Sequence, residues 1–387
     1  MPHFIRVNMT TGNVRSLPLS PERNQLGGRA LVSQVLYTEM APNTDPLGAD
    51  NSLVLAAGLL VGQPLSCFDE LVLGSKSPDS GLLASVRFMS RAARMMAGMG
   101  IRFGVIEGRA ANDRQHVLLM EYGRASLIPL ESIVHPSAIS SSFDTHKALQ
   151  EYFGRNTCIV SVGSAAFSSS PLAALLVSGS ENESLKTIPG HGMARVMASK
   201  GLCAFIFRSS ESLTEKRSPV EKMLCRDAAK LLRCARQEYS LENTPFGQSS
   251  FCRYCLDGQY SKHQGWQSTC ADMGFYPPAV SSIVPDIAKK SEDELRNTLH
   301  RLMEECPSSL QESPLHSLLP PPAILAAYDS VGLCPLAPLP DTDERLLNII
   351  ASLAKNSHGG IWSAESILRV GAETINRENA FNTWALA

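Results

Sequence analysis

The sequence predicts an α+β protein whose first part, to about residue 208, is rich in strands and whose remainder is mainly helical. Short apolar runs bounded by turn residues recur up to Arg208, as expected of strands buried on both faces. Beyond Arg208 the pattern changes to capped segments with apolar residues three and four apart. The expected units are therefore residues 1–208 and 209–387.

Taken in order, Phe4 to Asn8 alternates apolar and polar side chains, and Thr11-Gly12-Asn13 reads as a hairpin turn into Val14–Leu17. Ser20 to Glu39 reads as a helix with Leu31, Val35 and Leu36 on one face. Buried strands are expected at Leu53–Ala57, Leu71–Gly74, Phe103–Ile106, His116–Met120, Cys158–Val162, Leu172–Val177 and Cys203–Phe207. A helix through Arg87 to Ala97 would gather Arg87, Arg91 and Arg94 on one face, near Arg102. Such a face is either a phosphate- or partner-binding patch or simply basic and exposed.

Ser218-Pro-Val-Glu221 supplies an N-cap, a first-turn proline and a capping-box glutamate, and Met223, Leu224, Leu231, Leu232 and Ala235 follow at helical spacing. Ser291 opens a similar helix with Leu295, Leu299, Leu302 and Met303 as its stripe. Residues 306–340 are a Pro- and Ser-rich connector enclosing a short helix at Ala323–Tyr328. Two last helices are expected at Asp341–Leu353 and Ser363–Asn379.

The length of 387 residues exceeds one ordinary core, and 44% apolar with 19% charged residues belongs to a folded globular chain. Lys and Arg total 35 against 37 Asp and Glu, which argues against nucleic acid as a partner. The apolar run Leu53–Gly62 is shorter than the roughly 20 residues a membrane helix needs, and the first residues lack the apolar stretch of a secretory signal. A cytoplasmic protein with no membrane contact is expected. In that reducing setting, the closest of its 10 cysteines, Cys252 and Cys255, read as metal-binding or redox-active.

Several segments share one order and spacing with a known family. These are Phe4–Gly12, Leu26-Gly-Gly-Arg-Ala-Leu31, Asp45-Pro-Leu-Gly48, Asn51, Ser75-Lys-Ser-Pro78, Val105–Ala110 and Val196–Leu202. Tyr328-Asp-Ser-Val-Gly-Leu-Cys334 and Ile375–Asn382 continue the series. Together they resemble the tungsten-dependent aldehyde ferredoxin oxidoreductases, over nearly all of residues 1–208 and then in islands. The resemblance implies a β-rich base domain of that type, followed by a reduced, mainly helical region.

It also implies a tungsten– or molybdenum–pterin cofactor and a [4Fe–4S] cluster that passes electrons to ferredoxin. Asp329, Gly332 and Leu333, with the loop glycines Gly190 and Gly192, fall at the implied cofactor positions. Cys252, Cys255 and Cys334 match implied cluster ligands, while Gln259 stands where the family has its third cysteine. Cys270 or His263 is the available substitute for that ligand. A structural zinc on Cys252, Cys255, Cys270 and His263, or thiols with no metal, remain open alternatives.

The departures concern the pterin. Glu70-Leu71 aligns with an Arg-Tyr pair that contacts pterin phosphate in the family. Arg87-Phe-Met-Ser90 aligns with an Asn-x-Gly-Gly segment where bare backbone approaches the cofactor. Gly190 replaces a phosphate-binding Arg, and Pro189 removes a backbone donor from the same loop. Only 73 residues separate Cys255 from Asp329, where relatives place most of their second domain. Glu294, His300, Glu304 and Glu305 carry no spacing that makes them a general base, and His263 and Trp266 suit the cover of a small core. No catalytic residue is assigned.

The expectation is a family protein with an iron–sulfur electron-transfer role, in which independent aldehyde oxidation is weak or absent. A non-catalytic scaffold or assembly paralogue, or a zinc-stabilised binding domain, is the alternative. The expected partner is ferredoxin or a full-length family oxidoreductase subunit; a homodimer is also compatible.

Overall fold

A computed structural model describes residues 2–65, 68–121, 124–134, 142–154, 156–178, 185–188, 190–209, 218–238, 321–333 and 344–386. The strand-rich part forms two mixed six-stranded sheets. The first comprises β1 (His3–Asn8), β2 (Asn13–Pro18), β3 (Leu53–Ala57), β4 (Glu70–Lys76), β5 (Leu83–Met89) and β6 (Ile101–Glu107), in the order β2-β1-β6-β3-β4-β5. The second comprises β7 (His116–Glu121), β8 (Arg124–Pro129), β9 (Thr157–Ser161), β10 (Leu175–Val177), β11 (Lys186–Ile188) and β12 (Leu202–Arg208), in the order β11-β10-β9-β12-β7-β8. Only β1–β6 and β7–β12 pair in parallel among these ladders. The expected hairpin joins β1 to β2 through Gly12, whose φ of 71° is one that L side chains rarely adopt.

Side-chain alternation divides the faces. Ile5, Leu55, Leu73, Val86 and Phe88 of the first sheet share a buried cluster with Leu118, Val160, Phe205 and Phe207 of the second. The helices α3 (Arg91–Gly98) and α6 (Met193–Ser199) add Met95, Met96, Val196 and Met197 to that layer. The outer face of the first sheet is covered by α2 (Gly28–Glu39) through Leu31, Val32, Val35 and Leu36. That of the second receives Leu149 and Phe153 from α4 (Ser142–Phe153) and Phe167 from the short α5 (Ser164–Phe167).

Among the described residues, the helical part comprises α7 (Pro219–Glu238), α8 (Pro321–Val331), α9 (Glu344–His358) and α10 (Ala364–Leu386). The capping box is formed as expected: Ser218 N donates to Glu221 Oε2 at 2.9 Å, and Glu221 N donates to Ser218 Oγ at 3.1 Å. These helices bury Leu232, Ile324, Tyr328, Leu347, Ile350 and Ile367 against Leu59, Leu65, Phe68 and Met89 of the strand-rich part. Among the described residues, no helix is long and apolar enough to cross a membrane.

Three expectations need correction. The Ser20–Glu39 helix is broken into a short turn, α1 (Pro21–Asn24), and α2, because Gly28 adopts a φ of 44° where the chain passes within contact of Asp329. Residues 83–89 are a strand, so Arg87 does not share a helix with Arg91 and Arg94. Val86 and Phe88 point into the inter-sheet layer, and α3 starts only after Ser90, whose side chain accepts from Ala92 N. Leu172–Ala174 is not part of a strand, β10 being confined to Leu175–Val177. The helix expected from Ser291 lies outside the described residues.

Candidate functional site

The segments that carry the family resemblance are bonded to one another. Ser75 Oγ donates to Ser52 O at 2.8 Å and bonds Asn51 Oδ1 at 2.9 Å, while Asn51 Nδ2 donates to Lys76 O at 3.1 Å. Lys200 is fully buried and donates to Gly48 O at 2.9 Å and Ala49 O at 3.0 Å. Burial lowers its pKa to about 8. The Lys200 carbonyl accepts from Ala110 N at 3.0 Å. Asn51 and Ser75 thus join β4 to the segment before β3 within the first sheet, and Lys200, just before β12, fastens the second sheet to the first.

A second knot joins the base to the helices. Arg29, in the first turn of α2, donates through Nε and Nη2 to the two carboxylate oxygens of Glu378 on α10, at 3.0 and 2.7 Å. Ser33 Oγ lies 3.1 Å from the same carboxylate. Arg29 Nη1 also reaches Asp329 Oδ2 at 3.4 Å. These carboxylates raise the Arg29 pKa despite its burial.

Asp329 lies near the C-terminal end of α8 and is 1% exposed. Arg87 Nη1 lies 2.8 Å from both of its oxygens. Strand alternation explains the aim of Arg87. Its neighbours Val86 and Phe88 enter the inter-sheet layer, which turns Arg87 and Met89 toward the helices. Arg87, Asp329, Arg29 and Glu378 thus form a cluster of two cations and two anions.

The end of α8 is seated without side chains in between. Gly332, with φ of 89°, closes the helix as its N–H and that of Leu333 donate to Tyr328 O, each at 3.0 Å. A Cβ on Gly58 would lie 2.2 Å from Gly332 Cα, and one on Gly28 would lie 1.9 Å from Asp329 O. Leu59 N and Leu60 N donate to Ser330 O and Val331 O at 3.0 Å each, and Leu333 is fully buried. Gly332 and Leu333 therefore make packing contacts with the chain itself, and Asp329 alone of that trio presents charge.

The other named positions are scattered. Gly190 and Gly192 flank the exposed His191 before α6, and Gly192 sits against Pro78. Arg94 pairs with the buried Asp69 at 2.5 Å. Arg102 is buried close to His358 at the end of α9, donating to Leu59 O at 3.3 Å and Leu26 O at 3.2 Å, with its pKa lowered to about 10 by desolvation. Arg87 and Arg94 thus pair with carboxylates and Arg102 with carbonyls, so these three do not make one shared basic face. Glu70 is buried in β4. Cys252, Cys255, Cys270 and Cys334, together with Gln259, His263 and Trp266, lie outside the described residues. Among the described residues, no group of three His, Cys, Asp or Glu side chains is arranged to hold a metal ion.

Among the described residues, the Asp329 carboxylate is taken up by the chain itself. Both of its oxygens contact Arg87, while Gly28 packs against the Asp329 carbonyl and Gly58 against Gly332. Sequence reasoning placed Arg87 on a helix and so missed its pairing with Asp329. The alternation Val86-Arg87-Phe88 was the available signal.

Comparison with known proteins agrees with the fold. A solved structure, described as the active site complex BamBC of benzoyl coenzyme A reductase with 1,5-dienoyl-CoA, superposes with a TM-score of 0.55 at 19% identity. That match covers 63% of this chain and 36% of the other. The tungsten-containing aldehyde ferredoxin oxidoreductase of Pyrococcus furiosus is 26% identical over 54% of this chain and 33% of its own length. The protein of the same name from Thermococcus kodakarensis is 26% identical over 65% of this chain and 39% of its own. The chain thus spans between a third and two fifths of the length of these relatives. The model of the aldehyde ferredoxin oxidoreductase N-terminal domain matches residues 4–209, and the chain belongs to that family.

Proposed function

We propose that this chain is a companion member of the aldehyde ferredoxin oxidoreductase family. It keeps the base scaffold and its helical seat, pairs with a full-length oxidoreductase subunit, and does not itself oxidise aldehydes at a pterin-bound metal. The carrying observation is the Arg87 guanidinium on both oxygens of Asp329, at 2.8 Å each. A carboxylate already neutralised by a buried cation is a poor site for another donor edge. What the chain retains is the architecture: two sheets, the Lys200 and Arg29 knots, and the glycine-seated helix end. Co-expression with a full-length relative, followed by affinity capture and an aldehyde-oxidation assay on each fraction, tests this reading. Co-purification with activity confined to fractions holding the relative supports it. Aldehyde oxidation by this chain alone contradicts it.

A redox reading rests on the cysteines. Cys252 and Cys255 share the close spacing of cluster ligands, and Cys334 follows directly on the buried Leu333. In that reading the companion relays electrons through a [4Fe–4S] cluster on Cys252, Cys255, Cys334 and Cys270 toward ferredoxin. Anaerobic purification with iron and sulfide analysis supports it when about four irons per chain accompany visible thiolate-to-iron absorption. One tightly held zinc after aerobic purification favours the structural-metal alternative.

A further inference from the structure

We propose that Arg87 is an intramolecular stand-in for a planar, N–H-bearing ligand at Asp329, so that the chain itself closes this carboxylate against a pterin ring. The inference deepens the companion reading and rests on it. A guanidinium and the 2-amino-pyrimidinone edge of a pterin are both flat groups that aim N–H donors at a carboxylate. Both would draw on the same in-plane lone pairs of Asp329, and Arg87 Nη1 is already within 2.8 Å of each oxygen.

The two backbones are fixed relative to each other. Arg87 is locked in register by the pairs Val72↔Arg87, Leu71↔Phe88 and Glu70↔Met89, and a one-residue slip would turn Val86 and Phe88 out of the inter-sheet layer. Asp329 is held by the seating of α8, where Gly28 meets its carbonyl and Leu59 N bonds the next one. Charge points the same way. With Arg87 present, Asp329 and Glu378 are balanced by Arg87 and Arg29. A neutral ring in place of the guanidinium would leave Arg29 facing two carboxylates. The cationic occupant is therefore the better one here, and removing it creates a vacancy with a preference for planar cations and amidine-like edges.

The test uses the full chain as wild type, Arg87→Gly, Arg87→Gln and the double variant Arg87→Gly/Asp329→Asn. The probes are free pterin and low-millimolar guanidinium chloride, with sodium chloride as the ionic-strength control. Binding is read as pterin fluorescence anisotropy and as a saturable rise in Tm. Arg87→Gly should have a lower Tm than wild type, regained in part with guanidinium, and should bind pterin at least about tenfold more tightly. The double variant should lose both responses. Arg87→Gln keeps an amide on the strand and should also exceed wild type in pterin binding, which decides the matter if the glycine variant does not fold. Pterin binding by wild type equal to that of Arg87→Gln overturns the proposal, as does an Arg87→Gly protein that responds to neither probe. Aldehyde oxidation by the wild-type chain sinks the companion reading instead, so the two failures are separable.

Discussion

Gly58 and Gly332 meet backbone to backbone: a Cβ built on Gly58 would stand 2.2 Å from Gly332 Cα and 2.5 Å from its nitrogen. This contact seats the end of α8 on the loop after β3 and brings Asp329 to Arg87. A methyl group cannot be relieved there by a side-chain rotation, since its neighbours are main-chain atoms. Gly58→Ala should cost about 3 kcal/mol of stability, read as a lower urea midpoint with an unchanged m-value.

The Arg29–Glu378 pair should behave as a coupled unit. Glu378→Gln removes a carboxylate that receives two N–H bonds and leaves Arg29 with the more distant Asp329. The expected loss is about 2–3 kcal/mol, while Arg29→Met/Glu378→Leu should lose less than the sum of the single variants. Chemical denaturation of the four proteins in a double-mutant cycle measures this.

Acid should weaken the fold between about pH 6.5 and pH 4. Desolvation lowers the pKa of His146, hydrogen-bonded to Ser161 Oγ at 2.7 Å, to about 4. Burial and the Arg102 charge lower that of His358, bonded to Leu59 O at 2.8 Å, to about 4 as well. Both folded values lie below the ordinary one near 6.5, so the unfolded chain binds more protons in this window. Stability is full above the upper limit, falls as pH drops through the window, and levels off below the lower one. His146→Gln should flatten part of the slope in a Tm-against-pH series; an unchanged slope would sink that assignment.

Buried thiols should be inert in the native state. Burial raises Cys203 to about 12 and Cys158 above its ordinary range, and both are about 1% exposed. Peptide mapping after iodoacetamide treatment at pH 8 should find both unmodified until the chain is unfolded. Rapid native labelling of Cys203 contradicts this.

Much of the strand-rich part was legible because its strands are apolar on both faces. Leu53–Ala57 and Cys203–Phe207 are continuous apolar runs, and the Ser218–Glu221 box marked the start of α7 by local chemistry alone. The strands β5, β8 and β11 were not marked, since polar and charged residues interrupt them. Arg87 is the instructive case. Its spacing to Arg91 and Arg94 imitates a helix face, and only the register with β4 puts it opposite a residue some 240 positions away, the separation being 242. The glycines at 58 and 332 were visible as letters, but a backbone-to-backbone approach has no periodicity to read.

The central claim is that this family member holds no working pterin centre. Its most direct test is the cofactor content of the full chain, purified anaerobically from a tungsten-supplied host with an active pterin pathway. Oxidative release should yield no stoichiometric fluorescent pterin and no tungsten from wild type, while a full-length relative from the same host yields both. About one pterin-bound tungsten per chain, with Arg87 intact, would contradict the account.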